Sequence, residues 1–150
     1  MEGFKNHLVC NQLLTQLTLQ GMKDACYGRI INIISTSVKM PIDGLGVSNT
    51  IRGAVASWAK TMANELGQFG ITVNNVLPGF TETERLKSLL TNRAEKAGKS
   101  YVEIVENLKT TIPARRFATP EEVANAVAFL ASPSAGYING INVPVDGGRL

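Results

Sequence analysis

The amino-acid sequence predicts an α/β fold, a parallel sheet with flanking helices on both faces. Three observations point to it. RIINIIS at 29–35 and ITVNNV at 71–76 are short β-branched runs, the pattern of strands buried on both sides. Stretches with apolar residues at helical spacing separate them. The order helix, strand, helix, strand, helical insertion, helix, strand then implies right-handed crossovers, which set the strands parallel and cover them with helices.

Taken in order, Phe4, Leu8, Leu13, Leu14, Leu17 and Met22 predict a helix over 4–22, ended before Gly28. The strand 29–35 leads into a loop with Pro41, Gly44 and Gly46. Ala54, Val55, Trp58, Ala59, Met62, Ala63 and Leu66 form one apolar stripe, giving a helix over 48–66 that Gly67 and Gly70 close. Pro78-Gly79 closes the strand 71–76. The polar, Lys-rich stretch 81–99 is helical around Leu86–Leu90. Ser100 with Glu103 reads as a capping box opening a helix to about Leu108. Thr119-Pro120-Glu121-Glu122 is a stronger start, with a cap, a proline at the first helical position and a glutamate at the third. Ile141–Val145 is a third strand before Asp146-Gly147-Gly148. Three strands are few for a doubly wound sheet, where about six are usual. They leave an apolar edge open beside RIINIIS.

Composition excludes several classes. A chain of 150 residues with 44% hydrophobic and 18% charged residues is the size and character of one globular domain. The net charge of +3 is spread over scattered residues such as Lys60, Arg85, Lys87, Arg93, Lys96 and Lys99. The densest run, 84–99, also carries Glu84 and Glu95 and reads as a solvated helical face, so no nucleic-acid partner is expected. Cys10 and Cys26 both fall in the first helical segment, too far apart to bridge, and read as reduced thiols of a cytoplasmic protein. No metal-ligand spacing, signal peptide or membrane-length apolar run is visible.

Four segments now resemble the short-chain dehydrogenases/reductases in order and spacing. They are the first helix into Gly21-Met22, GRIINIIS (28–35), NTIRGAVASWAKTMANELGQFGITVNNVLPGFTET (49–83) and IPARRFATPEEVANAVAFLASPSAGYINGINVPVDGG (112–148). The resemblance covers nearly the whole chain. It implies a Rossmann-like fold and places the chain at the carboxy-terminal half of that domain. The family's glycine-rich phosphate loop, TGxxxGxG, and its Asn-Asn-Ala-Gly motif are not in the sequence. A pyrophosphate cradle needs such glycines at a helix N-terminus, so this chain alone is expected to lack competent NAD or NADP binding and to be inactive in isolation.

The resemblance also assigns site positions. Ser35 matches the serine that polarises the substrate carbonyl. An ungapped match puts Ser48 where the family has its tyrosine and Arg52 where it has its lysine. A serine hydroxyl is a far weaker acid than a phenol, and arginine keeps its proton near neutral pH while still able to hold ribose hydroxyls. The family asparagine falls at His7, with Asn6 one position away. Histidine suits proton transfer near pH 7, so a proton path through His7 is an expectation here. Pro78, Gly79, Thr81 and Thr83 match the loop over the nicotinamide, with Arg52 beside it. The insertion 81–110 then reads as a helical substrate lid in which Tyr101 packs at the surface. Two functions follow. One is an NAD(P)-dependent oxidoreductase of a small-molecule carbonyl or alcohol. The other is a catalytically degenerate binding or oligomerisation module. Either is expected to form a homo-oligomer, a dimer or tetramer, through the helices 4–22 and 48–66 or the carboxy-terminal strand.

Overall fold

A computed structural model describes residues 2–150. Helix α1 (Glu2–Phe4) continues through a π turn (Lys5–Val9) into α2 (Cys10–Asp24). β1 (Gly28–Ile33), α3 (Gly46–Leu66), β2 (Ile71–Pro78), α4 (Glu84–Ala97), α5 (Tyr101–Thr110), α6 (Pro120–Ala131) and β3 (Asn142–Val145) follow. The strands form one parallel sheet in the order β1-β2-β3, with Ile33 beside Val76 and Pro78 beside Val145. β1 is the open edge the sequence predicts.

Each strand residue faces one of two layers. Ile30, Ile71 and Val73 pack under Trp58, Ala59, Met62, Ala63 and Leu66 of α3 and Leu19 and Met22 of α2. Ile34 and Leu77 meet Val55 farther along the same face. On the opposite face Val76, Ile31, Val143 and Val145 pack on Val123, Val127 and Leu130 of α6. Between the two apolar layers of the α2–α3 face runs a ladder of amides. Asn11 donates to Asn32 at 3.0 Å, Asn32 to Asn75 at 2.9 Å, and Asn75 to Asn142 at 2.8 Å. Asn32 and Asn75 are buried, so the ladder supplies the partners that burial of an amide requires. It also penalises a slipped register, because a one-residue shift turns every side chain to the other face.

Several boundaries differ from the sequence expectation. Helix ends are extended at both ends of the predicted 4–22 segment, and Cys26 lies beyond α2, at a positive φ of 49°. The carbonyl of Cys26 sits where a side chain on Gly70 would project, which requires glycine there; Gly70 itself has φ 73°. β1 stops at Ile33 because Ser35 turns its hydroxyl back to accept the Ser37 N–H at 3.1 Å, starting a 3-10 turn (Thr36–Val38). Ile141 stays out of β3: its carbonyl accepts from Asn75, but its N–H goes to the Asn74 side chain. Thr119 and Glu122 form the full capping box. At Ser100 only half forms: its hydroxyl accepts the Glu103 N–H, while the Glu103 carboxylate pairs with Lys99.

α4 and α5 form a helical hairpin with a core of its own. Leu90, Ala94, Ile104, Leu108, Ile112 and Phe117 are buried together, apart from the layers of the sheet. No helix among the described residues is long and apolar enough to cross a membrane, and they hold no cluster of metal-ligating side chains.

Candidate active site

In a parallel sheet the carboxyl ends of all strands meet at one edge, where the helices that follow begin. Here a cleft of about 530 Å³ opens at that edge. Ile33, Ile34 and Ser35 line it from the end of β1, and Pro78, Gly79, Phe80, Thr81 and Thr83 from the end of β2. Ser48 and Arg52 of α3 stand four residues apart, hence on one helical face, and both line the cleft. Arg85, Leu86 and Leu89 of α4 and Pro120 and Val123 of α6 complete it. Ser35, Ser48, Arg52, Pro78, Gly79, Thr81 and Thr83 therefore share one space.

His7 and Asn6 do not line this cleft. His7 borders a smaller cavity on the other side of Arg52 with Asn11, Asn32 and Val55. Its Nδ1 lies 3.5 Å from Arg52 Nη1, and because a guanidinium only donates, that nitrogen is the acceptor. The same Arg52 nitrogen donates to the Ile33 carbonyl at 3.3 Å. Burial, and then the Arg52 charge, push His7 below its ordinary value of 6.5. The imidazolium that a proton donor needs is thus disfavoured. Asn6, next along the helix and exposed, makes none of the site's hydrogen bonds. Tyr101 is also outside the cleft, in a groove between α4 and α5 with Lys87, Val105 and Lys109.

Local geometry fixes what each polar group has left to offer. Ser35 has one oxygen lone pair engaged by Ser37 N–H and its hydrogen free. Thr83 caps α4, accepting the Leu86 N–H at 3.2 Å, and likewise keeps its hydrogen. Thr81 leans its hydroxyl toward the Gly79 carbonyl at 3.3 Å, leaving lone pairs to accept. Gly79 is required by packing: a Cβ there would lie 2.8 Å from the Asp146 Cα. Its N–H joins β2 to β3 through the Val145 carbonyl at 2.9 Å.

Sequence reasoning missed Arg85 by assigning the run 84–99 to a solvated face. It lies in the first turn of α4, where the helix dipole disfavours a cation. That mismatch was the available signal. Burial, and then the charge of Arg85, lower Arg52 from its ordinary value of 12.5.

The parallel sheet, the helices on both faces and a cleft at the strand ends define part of a Rossmann-like α/β domain. A family model described as enoyl-(acyl carrier protein) reductase matches residues 6–149, and the chain belongs to the short-chain dehydrogenase/reductase family. It is 38% identical over 130 residues to the short-chain reductase protein NovJ of Streptomyces niveus, covering 85% of this chain and 47% of NovJ. It is 38% identical over 135 residues to the 3-oxoacyl-(acyl-carrier-protein) reductase FabG of Vibrio cholerae, covering 90% of this chain and 51% of FabG. Among solved structures, YwfH, an NADPH-dependent reductase involved in bacilysin biosynthesis, superposes with a TM-score of 0.92 at 31% identity, over 98% of this chain and 56% of YwfH. The chain spans about half the length of the curated relatives it matches.

Proposed function

We propose that this chain supplies the substrate side of an NAD(P)-dependent oxidoreductase, one that exchanges a hydride between a nicotinamide cofactor and a small-molecule carbonyl or alcohol. The observation that carries this reading is the convergence of Ser35, Ser48, Arg52, Thr81 and Thr83 in one cleft at the carboxyl edge of the sheet. The donors fit the nicotinamide end of such a cofactor. The free hydrogen of Thr83 suits a carboxamide oxygen, the lone pairs of Thr81 suit its NH2, and Arg52 suits ribose hydroxyls. When bound, the cofactor supplies the hydride. No glycine-rich phosphate loop occurs in the sequence, so we expect the isolated chain to bind it weakly and to be inactive alone.

The chain's own residues handle the carbonyl. Ser35 donates its free hydrogen to the carbonyl oxygen and polarises it. Arg52 stays protonated and keeps the cleft positive, so it is not the acid of this step. Ser48 stands one turn away as a second hydroxyl donor, and the alkoxide left by hydride addition takes its proton from solvent water, to which a serine hydroxyl can relay it. His7 acts as a positioning residue that holds the guanidinium from behind by accepting its N–H. The α4–α5 hairpin, with its separate core, forms the substrate lid over 81–110.

The second reading, a binding or oligomerisation module, is favoured by Ser48 and Arg52 standing where the family carries tyrosine and lysine. The two readings separate in a fusion of the amino-terminal half of Vibrio cholerae FabG to this chain. The enzyme reading expects carbonyl-dependent NADPH oxidation, reduced about a hundredfold by Ser35→Ala. Saturable NADPH binding with no oxidation against any carbonyl would establish the module instead.

A further inference from the structure

The cleft is one-sided in charge. Arg52 enters from α3 and Arg85 from α4, and no aspartate or glutamate lines it. Among the described residues neither guanidinium forms an ion pair. The acidic neighbours of Arg85 turn elsewhere: Glu82 and Glu84 border the groove on the far side of Thr83, beside Lys87 and Lys109. Arg85 also sits against its own helix dipole, an arrangement that a bound anion relieves. Around the two cations stand the hydroxyls of Ser35, Ser48 and Thr83 and an apolar wall of Phe80, Leu86 and Leu89.

We infer that this cleft takes an organic anion, held by a carboxylate or phosphate head between Arg52 and Arg85 with its short hydrocarbon body on the apolar wall. Planar guanidiniums match either head with paired N–H donors. Two like charges facing one space repel, and an anion between them offsets that repulsion. The inference rests on the reading of the cleft as a substrate site and specifies its substrate class: oxo or hydroxy acids, or phosphate esters, in preference to neutral carbonyls.

The test is a titration of the 150-residue chain with acetoacetate, inorganic phosphate and neutral 2-pentanone, followed by arginine side-chain and backbone amide NMR shifts. Saturable shifts at Arg52, Arg85 and Ser48 with an anion but not with 2-pentanone are expected. Acetoacetate binding alone marks a carboxylate head, and phosphate binding alone a phosphate head. Arg85→Gln, far from the buried layers, is expected to weaken the anion about tenfold to a hundredfold, as loss of one charged hydrogen bond does. Added salt weakens it further. No saturation with either anion, equal saturation with 2-pentanone, or unchanged affinity in folded Arg85→Gln overturns the inference. Its failure is separable from failure of the oxidoreductase reading. Arg85-dependent anion binding without hydride transfer in the FabG fusion overturns only the latter. Hydride transfer with no preference for acids over neutral ketones overturns only the former.

Discussion

His7 is the chain's one histidine, so its imidazole titration can be followed without overlap. Burial, the larger cause, and the Arg52 guanidinium both disfavour its charged form. The NMR midpoint is expected below 6.5, and Arg52→Gln is expected to raise it only part of the way back. The sign for stability follows. With the folded value lowered, the unfolded chain binds more protons between the folded pKa and 6.5. Stability is therefore full above about 6.5 and falls as pH drops through that window, and His7→Gln flattens it. A midpoint unmoved in Arg52→Gln would mean that Arg52 is not held by His7. At this scale, the family resemblance named Ser35, Ser48, Arg52, Pro78, Gly79, Thr81 and Thr83, and the fold brings all seven to one cleft, since strand ends meet at one edge and residues four apart share a helical face. The resemblance did not decide between Asn6 and His7, since one residue is about 100° of helix rotation. It missed Arg85, whose role depends on which element it meets.

The two helix starts at Ser100 and Thr119 look alike in sequence and differ in structure. At Thr119 the Glu122 carboxylate accepts the Thr119 N–H at 2.9 Å and also pairs twice with Arg116. Arg116, and then the Thr119 N–H, hold Glu122 at about 2, from 4.5. At Ser100 the glutamate is drawn off by Lys99. Thr119→Ala is expected to cost about 1–2 kcal/mol and Ser100→Ala about 0.5–1 kcal/mol in chemical denaturation. The lowered Glu122 value contributes stability that is present above 4.5 and lost as pH falls through about 2; Thr119→Ala keeps both the backbone N–H and Arg116, so it should keep this acid dependence, whereas Glu122→Gln should remove it. An unchanged stability in Glu122→Gln at neutral pH would show that the second half of the box adds nothing. Elements were legible here because caps and periodicity are local. Their ends were not, where side chains from distant segments decide: Asn74 withholds Ile141 from β3, and the Ser35 hydroxyl ends β1. The amide ladder from Asn11 to Asn142 was invisible for the same reason, because its four members are brought together only by the register of the sheet.

For the whole molecule, the sheet and its two layers bury the side chains that face each other, yet the outer surface of α2 and the edge at β1 remain apolar. Leu13, Leu14 and Leu17 project from α2, with Leu17 81% exposed, and Ile33 at the end of β1 is 48% exposed. Neighbouring exposed leucines on one helix are a contact surface in waiting, and an unpaired parallel strand invites a further strand. Both routes favour self-association, as the sequence leads us to expect, and they are distinguishable. The chain has a mass of 16.1 kDa. Sedimentation of the chain at tens of micromolar is expected to show a larger, concentration-dependent mass. Leu17→Glu is expected to restore the monomer without moving the unfolding midpoint of the monomer, since a side chain this exposed adds little to the interior. Persistence of the larger species in Leu17→Glu would assign the contact to the β1 edge, where backbone groups rather than leucines make the bonds. A wild-type chain that sediments as a monomer at every concentration would mean that neither surface is an interface between copies.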